Sequence, residues 1–247
     1  MMNIPKTATS RIRKLYGGFM KNLSQPKNTQ KLEMALVGYS RIFIDLDHTI
    51  YDRFDYDFFA FLDMARHVLG ESDKKAKEMA LWIWDVKDKK GPHYRCLFND
   101  FIEFYGLNSG VLPDLISFYQ RYDPKNLVQE QSLRPLLKKI HNAGRHEIIV
   151  VTNGEKERQS LKIEALNLKE IVDEIIILDP RNKACKLKPD PHVIKEYQRL
   201  RGEVRAVIVG DDLTTDGQLA RNTGLDFIHY EYTGTQRRSF LPYNGDE

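Results

Sequence analysis

Residues 41–52 read RIFIDLDHTIYD, an apolar run that ends in two aspartates one residue apart. Side chains of a strand alternate between faces, so Asp45 and Asp47 point the same way if the strand continues. Two carboxylates held together repel each other, and withdrawal from water adds to the cost. Water, a cation or a shared proton has to compensate, which makes this stretch a candidate site as well as a candidate strand.

Working outward, short apolar runs recur at 42–45, 147–151, 174–178, 206–209 and 226–229. Several are almost continuous, as parallel strands covered on both faces should be. Helical patterns separate them: Leu133, Leu136, Leu137 and Ile140 share one face before Gly144, a stop signal. The pattern predicts an α/β fold with a doubly wound, parallel, Rossmann-like sheet. One connection is far too long for a single crossover helix, since the first run ends near Asp47 and the next begins near Glu147. Residues 54–131 fill it with helical spacings, namely Phe58, Leu62, Ala65 and Leu69, then Tyr94, Leu97, Phe101 and Tyr105. They read as an inserted all-helical cap domain, leaving 41–53 and 132–247 as the catalytic core.

The chain has 247 residues, of which 41% are hydrophobic and 30% charged, enough for a full core. No apolar run approaches the length of a membrane span and the N-terminus lacks the apolar block of a secretory signal, so the expectation is a soluble, cytoplasmic protein. Cys96 and Cys185 fit neither a disulfide framework nor a zinc pattern and read as ordinary thiols. The net charge of +3 is unevenly spread: residues 1–40 hold Lys6, Arg11, Arg13, Lys14, Lys21, Lys27 and Lys31 against Glu33 alone. That basic arm suits an organelle-targeting segment, a polyanion patch or a flexible solvated extension. Pro5, Pro26 and the Gly17–Gly18 pair, with few aromatics among the cations, favour the extension.

Open α/β sheets bind ligands beyond the carboxyl ends of their strands. Those ends carry Asp45, Asp47 and Thr49; then Thr152, Asn153 and Gly154; then Lys188 before Pro189; then Asp211, Asp212 and Asp216. Singly, each is a common turn or cap. In this order, each after a strand, they resemble the four motifs of the haloacid dehalogenase-like superfamily: DLDHT, the strand ending in Thr152, the lysine, and GDDLTTD. The resemblance spans Arg41 to about Tyr230.

It implies a central first strand, a helical cap after the first motif, and Mg²⁺ held by carboxylates of Asp45 and Asp211 and the backbone carbonyl of Asp47. It implies further that Asp45 is a nucleophile toward phosphorus, Asp47 a general acid and base, Thr152 a donor to phosphoryl oxygen, and Lys188 an electrostatic support for Asp45. For the acid step, nearby phosphate and carboxylates should favour protonated Asp47. Asn153 and Gly154 offer backbone N–H groups to phosphate or simply cap a helix. Asp212 and Asp216 orient metal-bound water or cap the next helix.

Between Asn153 and Lys188 there is room for a helix, a strand and a short loop, but not for a second large cap. Asp47 argues against the dehalogenase branch, because halide leaves without a proton. His48, where relatives often have an acid, glycine or asparagine, contacts substrate or simply faces solvent, the default for an isolated histidine.

The implied activity is a Mg²⁺-dependent phosphatase acting on a small phosphorylated metabolite. A phosphomutase uses the same core, and a polyanion-binding regulatory protein is the reading from another class. On the cap, Arg53, His93, Arg95 and Arg121 are candidates for a second anionic group, and Trp82, Trp84 and Tyr105 for stacking. Cap aromatics are more often core and cap arginines more often solvated.

Overall fold

The apolar run before the paired aspartates lies inside the sheet, with Arg41–Ile44 buried at all four positions. The computed structural model describes residues 20–22, 29–91, 94–125, 127 and 132–232. Its strands are β1 (Met20–Asn22), β2 (Arg41–Ile44), β3 (Glu147–Asn153), β4 (Glu174–Leu178), β5 (Ala206–Gly210) and β6 (Asp226–His229). They form one sheet in the order β1-β6-β5-β2-β3-β4, with every pairing parallel. β2 is therefore internal, between β3 and β5, and its end opens onto the switch in strand order where α/β sheets bind ligands.

Strand alternation divides the core in two. Ile42, Ile44, Ile148, Val150, Val207 and Val209 pack on one side with α1 (Thr29–Leu36), α6 (Arg134–Asn142) and α7 (Lys156–Ala165). Phe43, Ile149, Val151, Ile208 and Phe227 face the other, with α8 (His192–Arg201) and α9 (Asp216–Thr223). The sheet is thus doubly wound, as its nearly unbroken apolar strands predict.

Helix α1 corrects the expected extension over residues 1–40. Leu32, Ala35 and Leu36 are buried, and Lys139 on α6 pairs with Glu33 at 2.8 Å. Three apolar residues at helical spacing lie beneath the basic charge pattern, and burial of that stripe makes the segment part of the core. Lys6, Arg11, Arg13, Lys14 and Lys27 lie outside the described residues.

The long connection after β2 is helical: α2 (Arg53–His67), α3 (Asp73–Lys90), α4 (Leu97–Tyr105) and α5 (Leu112–Gln120). Asp52 caps α2 by accepting from the Phe54 N–H at 2.9 Å. Gly106 ends α4 in the left-handed region, at φ 61°, where a side chain would be strained. Phe54, Phe58, Phe61, Ala65, Met79, Ile83, Phe101 and Leu115 form the apolar centre of this cap. Leu69 and Tyr94, expected to continue helical stripes, fall just outside α2 and α4 and are only partly buried. Among the described residues no helix is long and apolar enough to cross a membrane.

Candidate active site

The two aspartates of the opening stretch share one cleft but are neutralised separately. β2 stops at Ile44, and the Asp45 N–H still donates to the Val209 carbonyl at 2.9 Å, which holds the residue at the strand end. Lys188 Nζ donates to Asp45 Oδ1 at 2.5 Å and to Asp216 Oδ1 at 2.7 Å, all three side chains being buried. Asp47 is paired instead with Lys162 of α7, Nζ to Oδ1 at 2.7 Å. Gln159 Nε2 donates to its other oxygen at 2.9 Å, and the Tyr51 hydroxyl donates to Oδ1. Two adjacent acids are tolerated because two lysines from different parts of the chain reach them.

The protonation tendencies then diverge. Burial pushes Asp45 up to about 7, with Asp216 and Asp47 adding repulsion that Lys188 only partly offsets. Asp211 goes up to about 8, by burial and by repulsion from Asp45 and Asp216. Lys188, although burial disfavours its charge, is raised above the usual lysine range by Asp216 and Asp45. For Asp47, burial is outweighed by Lys162, Arg53 and the Tyr51 hydrogen bond, so its carboxyl is held far below the ordinary value. Without substrate, therefore, its surroundings select the carboxylate.

At the end of β3, Thr152 is buried with its hydroxyl accepting from Gln159 Nε2 at 2.7 Å. Asn153 accepts at its carbonyl from Gln159 Nε2 at 3.3 Å. Its side-chain amide clamps the peptide of Lys188, accepting from the Lys188 N–H at 3.0 Å and donating to the Lys188 carbonyl at 3.1 Å. The Gly154 N–H, expected to be available to phosphate, donates to the Leu178 carbonyl at 3.0 Å. A Cβ at Gly154 would lie 2.9 Å from Gln159 Cδ, so the glycine makes room for Gln159.

In the acidic loop the two open assignments separate. Asp212 Oδ1 accepts from the Thr214 N–H and hydroxyl, each at 2.7 Å, and from the Thr215 N–H at 3.3 Å, so it caps the turn into α9. Asp216 points into the cluster. A Cβ at Gly210 would lie 2.3 Å from its Oδ2, so only glycine lets β5 pass this close. One oxygen each from Asp45, Asp211 and Asp216 lie within 4.8 Å of one another, and Asp216 Oδ2 is buried with no hydrogen-bond partner.

Asp45, Asp47, Thr152, Asn153, Lys188, Asp211, Asp212 and Asp216 line a cleft of about 510 Å³, joined from the cap by Arg53, Trp84, Lys87 and Asp88. The other cap candidates go elsewhere. Trp82 and Tyr105 pack with Phe101 and Phe104, Arg95 is exposed, and Arg121 borders a separate hollow with Asp63 and His67. His93 lies outside the described residues. His48 is only partly exposed, its backbone is left-handed at φ 59°, and its ring lies 3.8 Å from Asp52.

Sequence reasoning missed Tyr51, Gln159 and Lys162. Gln159, Lys162 and Ile163 share the buried face of α7 at three- and four-residue steps. A polar pair on such a face is the available signal, but lysine and glutamine are normally placed outside.

A parallel, doubly wound sheet with an acid cluster at its switch point, roofed by a helical insertion, defines the class of protein. A family model for haloacid dehalogenase-like hydrolases matches residues 42–230, and the chain belongs to that family. The HAD-hydrolase YfnB of Bacillus subtilis, solved bound to magnesium, aligns with 76% of this chain and 85% of its own, at 21% identity and a TM-score of 0.55. A HAD-superfamily hydrolase of subfamily IA, variant 1, from Geobacter sulfurreducens covers 83% of this chain and 89% of its own, at 16% identity and a TM-score of 0.57. Both likenesses are of fold. No curated protein matches the chain.

Proposed function

We propose that the protein is a Mg²⁺-dependent phosphatase that hydrolyses a small phosphorylated metabolite through an aspartyl-phosphate on Asp45. The observation that carries this reading is the Asp47 carboxylate on the same cleft as Asp45, held by Lys162 and Gln159. An alkoxide leaving group needs a proton, whereas halide does not.

The acid cluster fits a divalent cation. Asp45 and Asp211 are both raised by burial and by repulsion from neighbouring carboxylates, and the buried Asp216 Oδ2 lacks a donor. Asp45, Asp211 and Asp216 would hold Mg²⁺, with the Asp47 carbonyl as a further oxygen ligand. Bound there, the ion supplies positive charge against the phosphoryl oxygens.

The chain's own residues do the rest. A carboxylate oxygen of Asp45 attacks phosphorus, the bond to the ester oxygen breaks, and Asp47 gives that oxygen a proton. Since Asp47 starts as a carboxylate, its proton is taken up with substrate: the arriving phosphoryl dianion repels the Asp47 charge and raises its proton affinity. Asp47 then removes a proton from water as that water attacks the phosphorus, freeing Asp45 and inorganic phosphate. Lys188 keeps Asp45 aimed, and the Thr152 hydroxyl donates to a phosphoryl oxygen.

Phosphate release from a panel of phosphorylated metabolites, with Mg²⁺ and with chelator, tests the reading. Release that requires metal supports it, and release unaffected by chelator overturns the metal requirement. Asp47→Asn checks the acid step. It should lower kcat/KM for an alkyl phosphate about 10–100-fold while changing kcat/KM for p-nitrophenyl phosphate little, because the aryl oxide leaves without a proton. Equal losses on both substrates would remove Asp47 from the acid role.

A further inference from the structure

The cap wall of the cleft carries two cations with donors to spare. Arg53 opens α2 and donates from Nε to Asp57 Oδ2 at 3.0 Å. Lys87 reaches down from α3 to the same oxygen at 2.7 Å and to the Tyr119 hydroxyl at 2.6 Å. Asp57 is buried and also accepts from Tyr119 at 2.6 Å, so one carboxylate serves both cations. An ammonium has three donors and a guanidinium five. One on Lys87 and the terminal amino groups of Arg53 have no acceptor among the described residues, and both side chains line the cleft that contains Asp45 and Thr152.

Resting on the phosphatase reading above, we propose that the substrate bears a second acidic group, a carboxylate or a further phosphate, which Arg53 and Lys87 bind on the cap side of the cleft.

Charge balance at the seam between cap and core supports this. Among the described residues, Arg53, Lys87, Arg158 and Lys162 act on one another and on the carboxylates of Asp47 and Asp57. Asp88, the other acid on the cap wall, is exposed to water. Burial pushes the Lys87 ammonium down to about 7 against the attraction of Asp57, and Arg53 and Arg158 add repulsion. Surplus positive charge held away from water is costly, and an anion between these groups relieves it. The Asp45 end of the cleft has its own cation, Lys188, which leaves the cap pair for a different anion.

Sorting of the cap arginines fits the same arrangement. Arg53 faces the cleft, whereas Arg95 and Arg121 do not line it. Discrimination between substrates that differ by one charged group is strong where the site's buried donors would otherwise stay unpaired.

The test is calorimetric binding to the Asp45→Asn protein, which holds ligand without consuming it, at one fixed Mg²⁺ concentration. The probes are two matched pairs of different reach: 3-phosphoglycerate against glycerol 3-phosphate, and 6-phosphogluconate against sorbitol 6-phosphate. The acidic member of at least one pair should bind at least about tenfold tighter. Adding Arg53→Gln, or separately Lys87→Met, should reduce that preference to below about threefold. Preference is a ratio within one preparation, so partial loss of folded protein cancels. Equal affinity within both pairs, or a preference that survives both substitutions, overturns the proposal.

Phosphate release by the wild-type protein from the same four probes separates the two readings. Acid-selective binding without release from any probe retains the subsite and counts against the phosphatase. Release with no preference for the acidic members retains the phosphatase and removes the subsite.

Discussion

Asp45→Asn is expected to lower phosphate release by at least about a thousandfold while leaving the protein folded. The amide has nearly the same size and shape as the carboxylate but cannot form the acyl phosphate. Its effect on stability should have the opposite character. Asp45 is a destabilising charge at neutral pH, raised by burial and by repulsion from Asp216 and Asp47. A neutral amide removes that repulsion, and Lys188 keeps Asp216 as its partner. The melting temperature should therefore be equal to or above that of the wild type in chelator, while activity is lost. Loss of activity together with a lowered melting temperature would point to damage rather than to chemistry. Undiminished turnover would place the nucleophile elsewhere.

Strands β2 to β6 were readable because each is a short apolar run ended by residues that a strand end does not need, whereas β1, only Met20–Asn22, carries no such run. Thr152, Lys188 and Asp211 attracted notice through their place after a run, and the structure gathers them with Asp45 on one cleft. The helical insertion was readable from chain length alone, since a crossover of that size has to contain a second unit.

What stayed hidden depends on contacts between distant segments. Lys162 looks like any helix-surface lysine until α7 is laid against the cap, where its ammonium lies 4.3 Å from the centre of the Tyr56 ring and within reach of Asp47. Lys87 is hidden in the same way, buried against Asp57 thirty positions earlier. Helix α1 was masked by its charge, because one short apolar stripe weighs little in a segment with seven cations. Asn153 and Gly154 were placed at the correct strand end, but the Asn153 side-chain clamp and the pairing of the Gly154 N–H with Leu178 were not foreseen. A side-chain clamp on Lys188 and a close approach by Gln159 leave no trace in a single sequence.

Metal removal should make stability depend on pH in a direction opposite to the usual behaviour of paired carboxylates. Asp45 and Asp211 have folded-state values of about 7 and about 8, against an ordinary 3.8. Between these limits the folded protein binds more protons than the unfolded chain, so stability falls as pH rises and levels off above about pH 8. Asp47 and Asp57, both depressed, act in the other sense but only below about pH 4, where their contribution is lost on acidification. Lys188, raised above the lysine range, has its effect only above about pH 10. Asp55, also raised to about 7, acts in the same sense as the acid cluster, whereas Lys87, pushed down to about 7, adds stability as pH rises beyond that value, so the buried acids govern the interval from pH 5 to about 7. A rise of this size in one buried carboxyl is on the order of 4 kcal/mol, or about 10 °C of melting temperature for a chain of this length. In chelator, the melting temperature should drop by about that amount across the interval. Mg²⁺, which binds the ionised cluster, should restore stability increasingly as pH rises. Asp211→Asn should flatten the slope in chelator, because it removes a raised carboxyl that contributes to the slope over the interval. A slope of the opposite sign, or one unchanged by Asp211→Asn, would mean that water or rearrangement already relieves the crowding, and the case for a cation among Asp45, Asp211 and Asp216 would lose its physical basis.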